Sequence, residues 1–490
     1  MSSSSNPTSI ETSRLSEGAA STIAVLLGAA FVVILNETIL NVALTHLMED
    51  FHVSANTVQW VATAFMLTMA VVIPTTGLLL QRFSIRSVFG AAMGSFLLGT
   101  ALAAAAPSFP VLVLGRVVQG FGTAIMMPLL ITTILRLVPP QRRGVIMGNV
   151  SIVISVAPAL GPTISGLILS VAPWRFLFIV VLPIALAALL IGLSKLPRAV
   201  ENEPGTLDLL SVLLTVPGFG FLVYGLSSFG NTENQNVVLS VSALSIGLVC
   251  VTIFIVRQLK LQTTGTPLLD LRTFTYRDYA LSLLLLVLSM MALFGVVIVL
   301  PIYMLSIREL DPIQVGLILL PGGLVMGLLG PVVGRLFDRV GARPLTIVGA
   351  SLLVLALGSL TFLDVHTATW YLVAAHIVLS IGLALIFTPV FTASMNPLPP
   401  HLYSHGSATL STLQQVAAAT GTALLIAVLQ LTASAAAGAG GALVTGIDLM
   451  PGVKAAFYVA GGLSVVALAL TFFMPGKTAE QTAGNQTPAP

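Results

Sequence analysis

Glu37 is the one ionisable residue in the apolar stretch from Thr22 to Thr45, and Arg116 is the one in the stretch from Val111 to Leu135. A carboxylate at mid-bilayer depth costs at least about 2.5 kcal/mol, so such a group faces a cavity or a partner. If the apolar stretches cross a membrane in alternation, Glu37 and Arg116 sit at comparable depths and are expected to pair, which offsets much of the desolvation cost. Two readings follow. Glu37 carries a proton whose binding depends on what reaches Arg116, so that proton entry and substrate exit are linked, or the pair is structural and fixes the first span to the fourth. His376, about six residues into Trp370–Thr392, titrates near neutral pH and is a second proton candidate, with a neutral histidine bonded to a neighbouring helix as its plainer reading.

The run Ala157-Pro158-Ala159-Leu160-Gly161-Pro162-Thr163-Ile164-Ser165-Gly166 lies inside an apolar stretch from Val145 to Val171. Prolines remove helical hydrogen bonds and glycines admit a neighbouring backbone, so Pro158, Gly161, Pro162 and Gly166 predict a kinked, closely packed helix suited to movement. A kinked structural helix is the alternative. Among embedded polar residues, Asn41, Gln119 and Gln415 would line a polar path or bridge helices. Trp60, Phe65, Met126, Tyr303 and Phe391 suit a greasy cavity that repacks around varied ligands, though many such residues serve only as packing.

Catalytic constellations are missing from the sequence. It holds no His-Glu-x-x-His and no Gly-x-Ser-x-Gly, and Gly476-Lys477-Thr478 lacks the upstream glycine of a phosphate loop because Thr471 stands there. Neither an enzyme nor an ATP-driven pump is expected. Cys250 is the single cysteine, so no internal disulfide and no cysteine metal site can form. No metal and no cofactor are expected, and the base distribution has no nucleic-acid footprint.

The chain that must position these residues is far too apolar for a soluble protein. Of 490 residues, 56% are hydrophobic and 8% charged, with a mean hydropathy of +1.04, against roughly a quarter charged in soluble domains. An all-α integral membrane protein is predicted, with fourteen spans of about 20 residues between Thr22 and Met474. Of the twenty lysines and arginines, Arg175, Arg308 and Lys454 fall on one side and Arg116 within a span, while the remainder gather in the links on the other side and in the tails. That bias places both termini in the cytoplasm.

An internal repeat divides the chain. Gly77-x3-Gln81-Arg82-x-Ser84-x-Arg86 recurs 257 residues later as Gly334-x3-Asp338-Arg339-x-Gly341-x-Arg343, each copy on a tight basic loop after an even-numbered span. Glycines permit the turn, arginines hold it at the cytoplasmic surface, and the aspartate is expected to cap the next helix. Leu209–Ser227 and Val237–Val256 fall between the repeats and carry no embedded charge. Gln258 to Asp278 is either a short amphipathic surface segment or a plain linker.

With these loops, the fourth-span run Arg116-Val117-Val118-Gln119-Gly120-Phe121-Gly122-Thr123-Ala124, the Ala157–Gly166 run and Asn36-Glu37-Thr38 followed by Asn41-Val42-Ala43-Leu44, the chain resembles the major facilitator superfamily, specifically its fourteen-span drug:proton antiporter branch. The first-half loop departs at Gln81 and Ser84. In the first span Asn36 holds the usual aspartate position and the carboxylate has moved to Glu37, as in the lincomycin-resistance exporter subgroup. The resemblance implies two six-helix bundles at 22–196 and 279–474, joined by two extra helices and a cytoplasmic linker at 197–278. Disordered cytoplasmic tails are expected at 1–21 and 475–490. It implies a multi-pass cell-membrane monomer among membrane lipids that exports lipophilic small molecules against protons. Rival readings are an exporter of a specific lipid or cell-envelope metabolite, or a proton-linked metabolite transporter.

Overall fold

The computed structural model describes residues 17–40, 43–197, 208–229, 237–264, 267–437, 446–474 and 476. Among the described residues, fourteen helices are long and apolar enough to cross a membrane. They are α1 (Gly18–Ile39), α2 (Trp60–Arg82), α3 (Ile85–Ala104), α4 (Phe109–Leu137), α5 (Pro140–Leu169), α6 (Phe176–Lys195), α7 (Leu209–Leu226) and α8 (Val237–Thr263), followed by α9 (Arg277–Ile307), α10 (Ile313–Val340), α11 (Ala342–Leu360), α12 (Thr369–Met395), α13 (Pro400–Ala436) and α14 (Gly446–Thr471). Fourteen spans agree with the sequence. The expected tails fall largely outside the described residues, but the chain is already helical from Glu17, several residues before the expected start.

The first span also ends early. It stops at Ile39, and a separate helix, Leu44–Phe51, carries the chain onward; Asn41 lies outside the described residues. Asp50 accepts hydrogen bonds from Trp174 Nε1 at 3.0 Å and Arg175 Nη1 at 2.9 Å. Phe51 packs between Phe109 and Trp174. The hydrogen bonds from Trp174 and Arg175 hold the Asp50 carboxyl below its ordinary value.

α1 to α6 pack into one bundle and α9 to α14 into another, with α3 against α4 in the first and α11 against α12 in the second. Between the bundles the second span of each half lies on the fifth span of the other: α2 on α13, and α10 on α5. α7 and α8 pair with each other, and α7 rests on α13 and α2. Lipid tails supply no hydrophobic drive between helices, so small residues and close van der Waals contact must hold such seams. At the α5·α10 seam a Cβ on Gly334 would stand 2.1 Å from the Gly144 carbonyl oxygen, and one on Gly148 would stand 2.4 Å from that of Gly330.

The two repeat loops turn differently for a local reason. Gly341 has φ 83°, a left-handed conformation that favours glycine. Ser84 has φ −62° and uses its hydroxyl to cap α3 by accepting from the Ser87 N–H at 3.1 Å. A serine in place of glycine is thus a working N-cap.

Candidate functional site

Four spans of the first bundle meet around Arg116, which is 1% exposed. Glycines at Gly99, Gly115 and Gly122 let α3 and α4 approach until backbones touch; a Cβ on Gly99 would lie 2.4 Å from the Gln119 nitrogen. This sets Gln119 against α3, where its Nε2 donates to Thr100 Oγ1 at 2.8 Å and to Asn36 Oδ1 at 3.2 Å. Arg116 Nη1 donates to Gln119 Oε1 at 2.8 Å and to Asn36 Oδ1 at 3.4 Å, and its Nε donates to the Val61 carbonyl at 3.2 Å. The guanidinium carbon stands 4.1 Å from the centre of the Phe65 ring.

The expected Glu37–Arg116 contact is corrected by this geometry. Among the described residues no ion pair joins them, and Asn36, at the position next to Glu37, holds the arginine instead. A one-residue step turns a side chain about 100° around a helix, which directs Asn36 to α4 and Glu37 elsewhere. The two charges attract across the gap without touching. Glu37 is half-buried. On its other side Thr38 packs on α5: a Cβ at Gly161 would lie 2.1 Å from Thr38 Oγ1.

α5 runs unbroken from Arg143 to Leu169 through Pro158 and Pro162. Within it the close packing is at Gly161, whereas a Cβ on Gly166 would meet nothing within 4 Å. The expectation of tight packing over the whole run therefore narrows to its centre.

The cavity candidates scatter. Trp60 is 44% exposed and stacks on Tyr224 of α7, so it faces the inserted pair. Phe65 is the shelf beneath Arg116, and Gln119 belongs to the arginine's cluster. Tyr303 is buried and donates to the Asp364 carbonyl at 2.6 Å, at the end away from the basic loops. Met126 and Phe391 are buried in α4 and α12. His376 lies against Gly322 of α10, with a buried Nδ1 that has no hydrogen-bond partner. Gln415 reaches across the bundles, its Nε2 being 3.7 Å from Met69 Sδ.

The basic end of the molecule is where the bundles are fastened. Asp338 caps a helix, but not the next one: Oδ1 and Oδ2 accept from the Gly144 and Val145 N–H groups, each at 3.1 Å, at the start of α5 in the other bundle. In the first-half loop Gln81 Nε2 donates to the His401 carbonyl at 3.0 Å, just before the long helix of α13. Thr132 bonds Ser407 and Ser151 bonds Thr388, both at 2.7 Å. Arg82, Arg339 and Arg343 are exposed and Arg86 is half-buried. Among the described residues, the hydrogen bonds at the opposite end, such as Arg175 to Ala106 and Tyr303 to Asp364, stay within one bundle.

Arg143 was counted from the sequence only as a surface base, yet it is buried. Its Nη2 and Nε donate to the Leu135 and Val138 carbonyls, which α4 leaves unpaired at its C-terminus. It also reaches Asn396 Oδ1 and Tyr403 Oη of the second bundle, each at 3.1 Å. Its place just after Pro139-Pro140, at the start of a helix, was the available signal.

Residues 26–422 match the family model for the Major Facilitator Superfamily. The chain is 41% identical over 463 residues to an uncharacterized MFS-type transporter, YcnB, of Bacillus subtilis, covering 94% of this chain and 96% of that one. It is 39% identical to the lincomycin resistance protein LmrB of Listeria monocytogenes, over 83% and 86% of the two chains. A multidrug resistance protein B homolog of Mycobacterium tuberculosis is 31% identical over 84% and 76%. The solved proton:xylose symporter XylE shares the fold at a TM-score of 0.67 and 15% identity, over 96% of this chain and 99% of that one. With its matched family model, its two bundles and its fourteen spans, which fit the drug:proton antiporter branch, this chain belongs to the major facilitator superfamily and is a multi-pass membrane transporter.

Proposed function

We propose that the chain exports lipophilic or amphipathic compounds in exchange for protons, by alternating access between its two bundles. The observation that carries this reading is the succession Asn36-Glu37-Thr38 on α1. Asn36 grips Arg116, Thr38 fills the seat at Gly161 of α5, and Glu37 stands between them. A charge gained or lost at Glu37 is felt both at the buried cation and at the helix that joins the bundles, so protonation and conformation are linked. Relatives named for lincomycin and multidrug resistance support small-molecule export.

Glu37 carries the proton and Arg116 poises it. The surplus of lysine and arginine makes the fastened end cytoplasmic, so the carrier faces outward with its cytoplasmic seams shut. It acts as a monomer in lipid. The test is reconstitution in vesicles holding an internal pH dye, under an imposed proton gradient, with lincomycin and a lipophilic cation as substrates. Wild type is expected to show substrate-triggered proton flux that Glu37→Gln lacks. Flux that persists in Glu37→Gln moves the proton site to another group, His376 first. No flux with any drug argues instead for a lipid or dedicated metabolite exporter.

A further inference from the structure

At the α2·α13 seam a titratable group is buried where the other seam has glycine. His405, on the first turn of the long helix of α13, is 3% exposed, and its Nδ1 is buried without a hydrogen-bond partner. It sits on Gly77 of the first-half loop: a Cβ there would lie 3.0 Å from Nδ1 and 3.4 Å from the His405 Cα. The imidazole also faces the backbone of Leu268, in the linker that follows the inserted helices. Three distant parts of the chain thus converge on one imidazole.

The charged neighbours are few and come from the linker and from α13 itself. Asp270 and Arg272 of the linker, and His401 one turn earlier, act on His405. α2 offers the neutral Gln81 and the exposed Arg82, and α9 offers the Tyr279 phenol, which donates to the Gly406 carbonyl at 2.9 Å. Asp270 is 2% exposed; burial works to push its carboxyl up, but hydrogen bonds from Arg272 and the nearby imidazole outweigh it and leave the carboxyl below its ordinary value. It is a carboxylate held in place by Arg272 Nε at 2.9 Å.

We propose that His405 is a second proton-binding site, which releases the α2·α13 seam when it is charged. Shut, the seam accommodates a bare Nδ1 against Gly77. Protonation puts an N–H with a positive charge at that contact, where Nδ1 has no hydrogen-bond partner, and such a group is costly to bury. The same charge is drawn to Asp270 on the linker. Both effects move the start of α13 off the first-half loop and open the basic end. This inference rests on the alternating-access reading above, and its test reads a distance rather than transport.

Spin labels on Phe83→Cys and Pro400→Cys, both exposed and on either side of the seam, would be placed in a Cys250→Ser background of the full chain in lipid nanodiscs. Their separation is measured by pulsed electron resonance from pH 8 to pH 5. The expected result is a population at longer distance that grows as pH falls and is lost in His405→Gln. In Asp270→Asn the midpoint should move to lower pH by about one unit, because an attractive charge on the imidazolium is gone. A second pair, Gln141→Cys with Pro344→Cys, reports the α5·α10 seam and shows whether His405→Gln has kept its fold; if it has not, Asp270→Asn decides. The proposal is overturned if wild type does not respond, if folded His405→Gln titrates as wild type does, or if the Asp270→Asn midpoint stays put. A seam that follows His405 in a protein without drug-triggered proton flux would sink the export reading and leave this one standing.

Discussion

The two seams at the basic end are built on one repeat and close by different chemistry. At α5·α10 glycine meets glycine, Gly144 on Gly334 and Gly148 on Gly330, and the Asp338 carboxylate caps the incoming helix. At α2·α13 the glycine of the loop is kept as Gly77, but it meets an imidazole, and Gln81 donates to a carbonyl where Asp338 accepts from two N–H groups. The 257-residue shift that relates the loops carries Gly144 to His401 and Gly148 to His405. One seam is a backbone contact finished by a fixed charge. The other is a side-chain contact that titrates, buttressed by the inserted pair. A duplicated scaffold therefore need not have equivalent gates, and a sensor can be confined to one of them.

The largest expected effect is at the rigid seam. Gly148→Val sets new atoms 2.4 Å from the Gly330 carbonyl oxygen, with backbone on the far side and nothing to yield. Overpacking of about 2–3 kcal/mol shifts the shut state by roughly one to two orders of magnitude, and transport should fall accordingly while the Gln141–Pro344 label distance lengthens. Gly77→Ala meets the imidazole at 3.0 Å, a side chain able to shift by a few tenths of an ångström. Transport there should drop only a few-fold. If the two substitutions prove equally severe in a vesicle uptake assay, the distinction between backbone and side-chain seams is broken.

Why these seams were only partly legible in the sequence follows from what periodicity records. Hydropathy fixes which segments leave water, and it located fourteen spans; it also placed Gly77 and Gly334 on loops of one pattern. The partner across a seam is a tertiary fact. From its position alone Asp338 was expected to cap the following helix, yet it caps α5 in the other bundle, because the second span of each half lies on the fifth of the other. The Arg116 site was legible in its residues and not in its pairing: which of Asn36 and Glu37 meets the guanidinium depends on a 100° rotation that no count of residues resolves. Arg143 and His405 escaped because a base near a loop reads as solvated, and each meets groups of the opposite bundle that no count along the chain reveals.

Exchanging the loop residues sharpens the comparison at smaller scale. A carboxylate at a helix N-terminus contributes about 1 kcal/mol, so Asp338→Asn should cut transport about fivefold and lengthen the Gln141–Pro344 label distance. Gln81→Asp, which makes the first loop look like the second, should not strengthen its seam. The acceptor it would face is the His401 carbonyl, and a carboxylate there repels it. A few-fold loss in transport is expected. A gain, or a shorter Phe83–Pro400 label distance, would mean that the two seams are closer in chemistry than their contacts indicate.

The smallest effect tests the buttress. Asp208 caps α7, bonding the Ser211 hydroxyl and N–H, and accepts from Arg257 Nε and Nη2 at 2.7 Å each. Beside this pair Gln258 ties Ser211 to the Leu268 and Leu269 N–H groups of the linker beneath His405. Hydrogen bonds from Arg257 hold the Asp208 carboxyl down to about 2, against partial burial and with help from Ser211. Because the folded value lies below the unfolded one, the stabilisation is complete above the ordinary carboxylate value and fades as pH falls toward the folded one. Asp208→Asn should lower the melting temperature in detergent by about 2 °C at pH 7, with a gap that is constant down to about pH 4 and closes toward pH 2. It should also loosen the Phe83–Pro400 label pair while leaving Gln141–Pro344 unmoved, since α7 rests on α13 and α2 and not on the other seam. Equal loosening of both pairs would show that the inserted helices brace the whole basic end, and the asymmetry between the seams would then lie only in His405.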